Sequence, residues 1–143
     1  MLGRKDYTQE EFDLAKKAID QQIAAYKKLV KAIDGATSDQ KVTAAREAFE
    51  PLYFNNLTLA LDRYFVHRVR AVAGTDANAL NEVELICDSL MNNGGIMRGN
   101  KVLKYVPGES AAKLEIGDRI RLTGAQFERL AKAFFAEIKS KFL

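Results

Sequence analysis

Apolar residues recur at alternating three- and four-residue steps over most of this chain, and the breaks in that rhythm divide it into helical segments. The first carries Phe12, Ala15, Ile19, Ile23, Tyr26, Val30 and Ile33, a narrow seam of the kind helices present to one another in bundles. Ahead of it, Thr8 and Glu11 have the spacing of a capping box, in which hydroxyl and carboxylate each bond the other's backbone amide. Gly35 is placed to stop the helix in a left-handed turn. Thr37 to Gln40 reads as a second capping box. It opens a short helix with Ala44, Ala45, Ala48 and Phe49, which Pro51 is expected to terminate, because a proline biases the residue before it away from helix.

The next segment is the one around which the rest is expected to be organised. From Leu57 to Val72 the residues Leu57, Leu61, Tyr64, Phe65, Val69 and Val72 form a stripe, with Leu59 and Val66 on the other side. A helix apolar nearly all round is enclosed by others. Asn55-Asn56 would cap it. A further helix spans about Asn78 to Asn92 on Leu80, Val83, Cys87, Leu90 and Met91. Then the texture changes. Lys101–Val106 and Arg119–Leu122 are short β-like runs, and a three-residue loop at Gly117 would pair Ile116 with Ile120 and Leu114 with Leu122. Thr123 to Gln126 is a third capping box before a last helix on Phe127, Leu130, Ala131, Phe134, Ile138 and Phe142. The pattern therefore predicts a mainly α fold: a helical bundle around a central apolar helix. A small antiparallel β insertion lies between Arg98 and Leu122, and residues 1–143 form a single helical domain.

Composition narrows the classes. With 143 residues, 48% hydrophobic and 29% charged, the chain has the make-up of a globular domain. Its 22 basic and 19 acidic residues are intermixed and leave a net charge of only +3, too mild to argue for nucleic acid or membrane. No apolar run is long enough to span a bilayer, and MLGRKDYTQEEF lacks the apolar core of a signal peptide. One cysteine makes no internal disulfide, so a cytoplasmic location is expected.

The segments Phe49-Glu50-Pro51-Leu52, Leu61 to Arg68, Leu80-Asn81-Glu82-Val83 and Ser89 to Asn93 resemble a group of small actinobacterial proteins with no known activity. The resemblance implies a cytosolic bacterial protein. It carries over no functional residues.

The candidate chemistry gathers near His67, the only histidine. On a continuous helix Arg63 and Arg70 share its face, a cationic setting that favours neutral imidazole. Antiparallel packing on the next helix would bring Arg63 to Asp88 and His67 to Glu84, and Asn81 shares a flank with Asp88. Arg68 is the anomaly. At about 100° per residue it falls near the centre of the apolar stripe, so it needs a carboxylate, a route to water or an anionic ligand. The acids best placed to pair with it are those of the neighbouring helix, Glu82 and Glu84. Arg63, His67, Arg68, Asn81 and Asp88 are thus the candidate ligand-binding residues. No catalytic residue and no cofactor is assigned. No metal site is assigned either, because one His and one Cys match no zinc spacing.

Cys87 lies mid-stripe and reads as a buried, inert thiol. A helix followed by Arg98, Lys101, Lys104, Arg119 and Arg121 hints at a winged helix. From Gly74 to Gly95, however, there are acids and no Lys or Arg, and phosphate would repel such a recognition helix. Phe135 and Leu143 widen the last stripe beyond what one contact needs, which predicts self-association, most simply a homodimer. Two functions therefore stand. One is a non-enzymatic cytosolic interaction protein that self-associates. The other is a binding protein or enzyme for a small anionic ligand, with a polar pocket around His67.

Overall fold

The computed structural model describes residues 3–143. Helix α1 (Gln9–Ala36) opens as its sequence requires: the Thr8 hydroxyl accepts from the Glu11 amide, and the Glu11 carboxylate accepts from the Thr8 amide. Its seam faces inward, with Phe12, Ala15, Ile19 and Tyr26 buried and Ile23, Val30 and Ile33 half-buried. Gly35 does not turn left-handed; the helix runs through it to Ala36.

The following helix differs from the expectation at both ends. Helix α2 (Gln40–Tyr64) is capped by Asp39, whose carboxylate accepts from the Lys41 amide, and it passes straight through Pro51. A proline inside a helix removes one backbone bond and crowds the carbonyl four residues earlier, here that of Glu47, at a cost of about 3 kcal/mol. Packing offsets that cost. Beyond the proline α2 buries Phe54, Leu57, Thr58 and Leu61, and the Glu50 carboxylate is held by the Tyr26 hydroxyl and the Gly124 amide. Asn55 and Asn56 are interior positions of this helix.

The helix stops at Tyr64, short of the expected Val72. Phe65 turns into the core, and His67 adopts the left-handed conformation (φ 64°), sparsely populated by residues with a Cβ. The reversed chain meets the N-terminal strap: the Arg4 amide donates to the His67 carbonyl, the Val69 amide to the Arg4 carbonyl, and the Tyr7 hydroxyl to the Val66 carbonyl. The apolar residues after Tyr64 thus serve a turn and a strap, and their helical spacing there is coincidental. One turn of helix, α3 (Arg70–Ala73), leads to α4 (Ala79–Asn92), which Asn78 caps.

In the expected β insertion, none of the described residues forms a strand. The chain makes one 3₁₀ turn (Pro107–Glu109) and a single antiparallel bridge, Ile96 to Arg119. The backbone groups of residues 117–122 find other partners. Gly117 and Asp118 bond Met97, and the Ile120 amide bonds the Gly95 carbonyl. The side-chain amide of Asn55 then donates to the Ile120 carbonyl and accepts from the Leu122 amide. One asparagine on α2 takes the place of a second strand and lets Ile120 and Leu122 insert into the core. Helix α5 (Gly124–Phe142) follows, with the expected Thr123–Gln126 capping box.

Helix α2 touches α1, α4 and α5, so the fold is a mainly α bundle organised around it. Two aromatic groups fill the interior. Phe65 sits among Tyr7, Phe12, Phe134 and Phe135, while Phe54 joins Tyr26, Tyr53 and Phe127. Phe135, from which self-association was expected, is therefore covered from within the chain.

Candidate functional site

Three of the sequence-derived candidates border one shallow depression. Arg63, His67 and Arg68 line it with Asp62, Val66 and Glu84, around a volume of about 300 Å³. Arg63 and His67 are exposed there. Arg68 is turned inward, its side chain only 7% exposed. Its guanidinium reaches Asp62 Oδ1 at 2.8 Å and donates to the Phe65 carbonyl at 2.9 Å, over the Phe134 ring at 5.2 Å. The carboxylate partner is thus Asp62, and not Glu82 or Glu84. Because the chain reverses after Tyr64, Arg68 folds back over the end of the helix it was expected to extend.

Asn81 and Asp88 lie elsewhere. Asn81 is buried in the first turn of α4, donating to the Gly74 and Asp76 carbonyls and accepting from Arg70 at 2.9 Å. Arg70 also grips Glu84 with two bonds of 2.7 and 2.9 Å. Asn81 thus fastens a loop. Asp88 is exposed and accepts from Asn92. The five candidates do not converge on one cleft.

Cys87 is buried, donates to the Thr58 carbonyl and has its pKa pushed up by burial, so it stays a thiol. Among the described residues no three His, Cys, Asp or Glu side chains are grouped as a metal ion would need, and no helix is long and apolar enough to cross a membrane. Arg98, Lys101, Lys104, Arg119 and Arg121 are all exposed along the irregular segment.

A more enclosed cavity of about 360 Å³ lies between the start of α4, the 104–111 segment and α5. Two of its polar side chains, Glu82 and Tyr105, are already bonded within the chain, whereas Glu137 Oε2 is buried without a hydrogen bond and pairs only with Lys141. Both Glu82 carboxylate oxygens accept backbone amides, from Ala111 and Ala112, and the Tyr105 hydroxyl bonds the Leu114 carbonyl. Burial raises the pKa of Glu82, which has no salt-bridge partner among the described residues, whereas Glu11, bonded to the two terminal guanidinium nitrogens of Arg4, is lowered to about 2.

The two have opposite effects on stability. Unfolded, both titrate near the ordinary glutamate value of 4.5. Glu82 holds its proton more tightly when folded, so stability falls as pH rises from that value through the raised one. Glu11 holds its proton less tightly, so its contribution is complete above 4.5 and is lost as pH falls towards about 2. Melting temperature against pH should lose the upper slope in Glu82→Gln and part of the acid limb in Glu11→Gln. If the slopes are unchanged, these two groups do not set them.

An exposed apolar surface also lies away from both of these sites. Beyond the reach of the aromatic core, α1 and α2 continue as a hairpin with a groove of about 520 Å³ between them. Tyr26, Leu29 and Ile33 form one wall; Val42, Ala45 and Phe49 form the other. Phe49 is 47% exposed, and Leu52, one turn on, is 64% exposed. Each wall keeps the three-then-four spacing of a helix–helix seam. The signal was present in the sequence: Leu29 and Val42 are apolar residues that belong to neither inward stripe. Comparison with family models, curated proteins and solved structures returned no match for this chain.

Proposed function

We propose that this protein is a non-enzymatic interaction module, and that its binding surface is the groove between α1 and α2. The observation that carries this reading is the heptad-spaced apolar lining of the groove, exposed at Leu29, Val42 and Phe49. Grooves of this kind take up the apolar face of an amphipathic helix. In the His67 depression and the Glu82 cavity, most polar groups are instead bonded within the chain. A fluorescent amphipathic peptide with leucines at three–four spacing and neutral glutamine flanks tests the reading. It should bind the wild type, and Leu29→Asp with Phe49→Asp should abolish binding while the melting temperature holds, since neither residue is buried. Equal binding by wild type and variant would sink it.

The resemblance to actinobacterial cytosolic proteins supports placing this module in the cytoplasm. Nucleic acid is not among its proposed partners. With Phe135 covered, α5 no longer offers a face for self-association, and a second copy remains only as the competing occupant of the groove. A second reading keeps the small anionic ligand. It is favoured by Arg63 and His67, exposed side by side at the depression with no ion-pair partner among the described residues.

A further inference from the structure

The groove has a charge as well as a shape, and the charge discriminates among occupants. Its lining contains two cations, Lys41 and Arg46, and no acid. Arg46 is incompletely satisfied. Its side chain is largely buried, its Nε lies 3.5 Å from Asp34 Oδ1 without a hydrogen bond, and its only other ion pair, to Glu47, is a long 3.9 Å. A buried donor without a partner is rare in folded proteins. A second copy seated on this groove would bring the same two cations and no lining acid, setting like charge against like. An anionic bilayer would match the charge. It would leave the concavity unfilled, because a groove between two helices fits a cylinder.

We infer that the occupant is an amphipathic helix of a different protein, apolar along one face and flanked by glutamate or aspartate. Its leucine-like side chains lie between Leu29 and Phe49, and its carboxylates lie along the cationic side of the groove, at Lys41 and beside Arg46. The walls run about 10–15 Å at 1.5 Å per residue, so two to three turns of helix are engaged. A contact of that length is a weak, reversible one. The inference rests on the reading of the groove as a helix-binding surface and adds the partner's chemistry.

The test uses the full chain and three labelled peptides that share one leucine seam, with glutamate, glutamine or lysine flanks. Fluorescence anisotropy should give tightest binding to the glutamate form, roughly fivefold to tenfold tighter than to the lysine form, with the gap narrowing in high salt. Lys41→Glu should abolish the preference, since it leaves the lining with one cation and one acid. This variant should fold, because an acid in the first turn of α2 suits the helix dipole. Several results would overturn the inference while leaving the groove a helix site: equal binding of all three peptides, a preference for lysine, or an unchanged order in Lys41→Glu. A wild-type dimer in sedimentation that Phe49→Asp converts to monomer would assign the groove to a second copy. Binding to phosphatidylserine vesicles without peptide discrimination would assign it to membrane. If no peptide binds, glutamine flanks included, the interaction reading falls and the inference with it.

Discussion

Phe65→Ala is expected to destabilise the fold by about 3–5 kcal/mol, the range for removing a fully buried phenylalanine where the surroundings cannot collapse. Phe65 is the residue on which α2 ends, and its ring centroid lies 5.1 Å from Tyr7, 5.8 Å from Phe134, 6.0 Å from Phe135 and 6.5 Å from Phe12. Those rings come from the N-terminal strap, α1 and α5, so the space left by truncation is bounded by separate elements. For a chain of this size the loss corresponds to roughly 10 °C or more in melting temperature. Phe65→Leu keeps most of the volume and should cost only about 1–2 kcal/mol. Leu14→Ala, at an exposed position on α1, should change almost nothing. Urea unfolding of the three variants checks the ranking. Similar midpoints for Phe65→Ala and Leu14→Ala would mean that the aromatic group is not the centre of the core.

Arg68→Ala should have the next largest effect, about 2–4 kcal/mol. Removing one partner of a buried pair strands the other, typically at 3–5 kcal/mol. The lower figure applies because Asp62 is 31% exposed and water can reach it. The Phe65 carbonyl also loses its donor, and Phe134 loses a cation over its ring. Arg68→Lys should recover little, since one ammonium does not reproduce the forked donor geometry that serves Asp62 and the Phe65 carbonyl together. In Asp62→Asn the further loss from Arg68→Ala should shrink, and the double-mutant cycle isolates the pair. The same melts, repeated with a panel of phosphates and carboxylates, address the anionic-ligand reading. If Arg68→Ala leaves the apo protein unchanged and removes a ligand response, Arg68 is a ligand group and its structural role is refuted.

What could be read from the sequence followed how local each determinant is. The caps at Thr8 and Thr123, the seams of α1 and α5 and the seam of α4 apart from the exposed Met91 depend on residues within a few positions of one another, and they stand where the pattern put them. The course of α2 depends on contacts distant in sequence. Nothing near Pro51 announces that Tyr26, Gly124 and the packing of Phe54 will hold the helix together across it. Nothing near Val66 announces that Arg4 will arrive to bond the reversed chain. Two sequence-distant acts of hydrogen bonding, by Arg4 and by Asn55, thus separate the expected helix and hairpin from the turn and loop that form. The candidate site inherited the first of these errors. With the helix ended at Tyr64, the shared face of Arg63, His67 and Arg70 does not exist, although Arg63 and His67 still meet at one depression. The groove was overlooked because Tyr26, Val30, Ile33, Ala45 and Phe49 were assigned to inward stripes, and only Leu29 and Val42 lie beside them.

The proline that α2 tolerates has a consequence for how the molecule breathes. Helix α2 buries no residue before Phe54, and α1 buries none after Tyr26. The Glu47 carbonyl, facing a residue with no N–H, breaks the ladder of backbone bonds near the boundary between these halves. The bonds from Tyr26 to Glu50 and from Tyr53 to the Gln22 carbonyl sit at that boundary like a latch. The end of the hairpin is consequently a unit of low local stability. It is expected to open while the aromatic interior stays intact, so hydrogen exchange should be faster for its amides than for those around Phe65. A guest that settles between the two helices holds them together, so part of its affinity goes into quieting that motion, and binding registers as protection of amides it never touches.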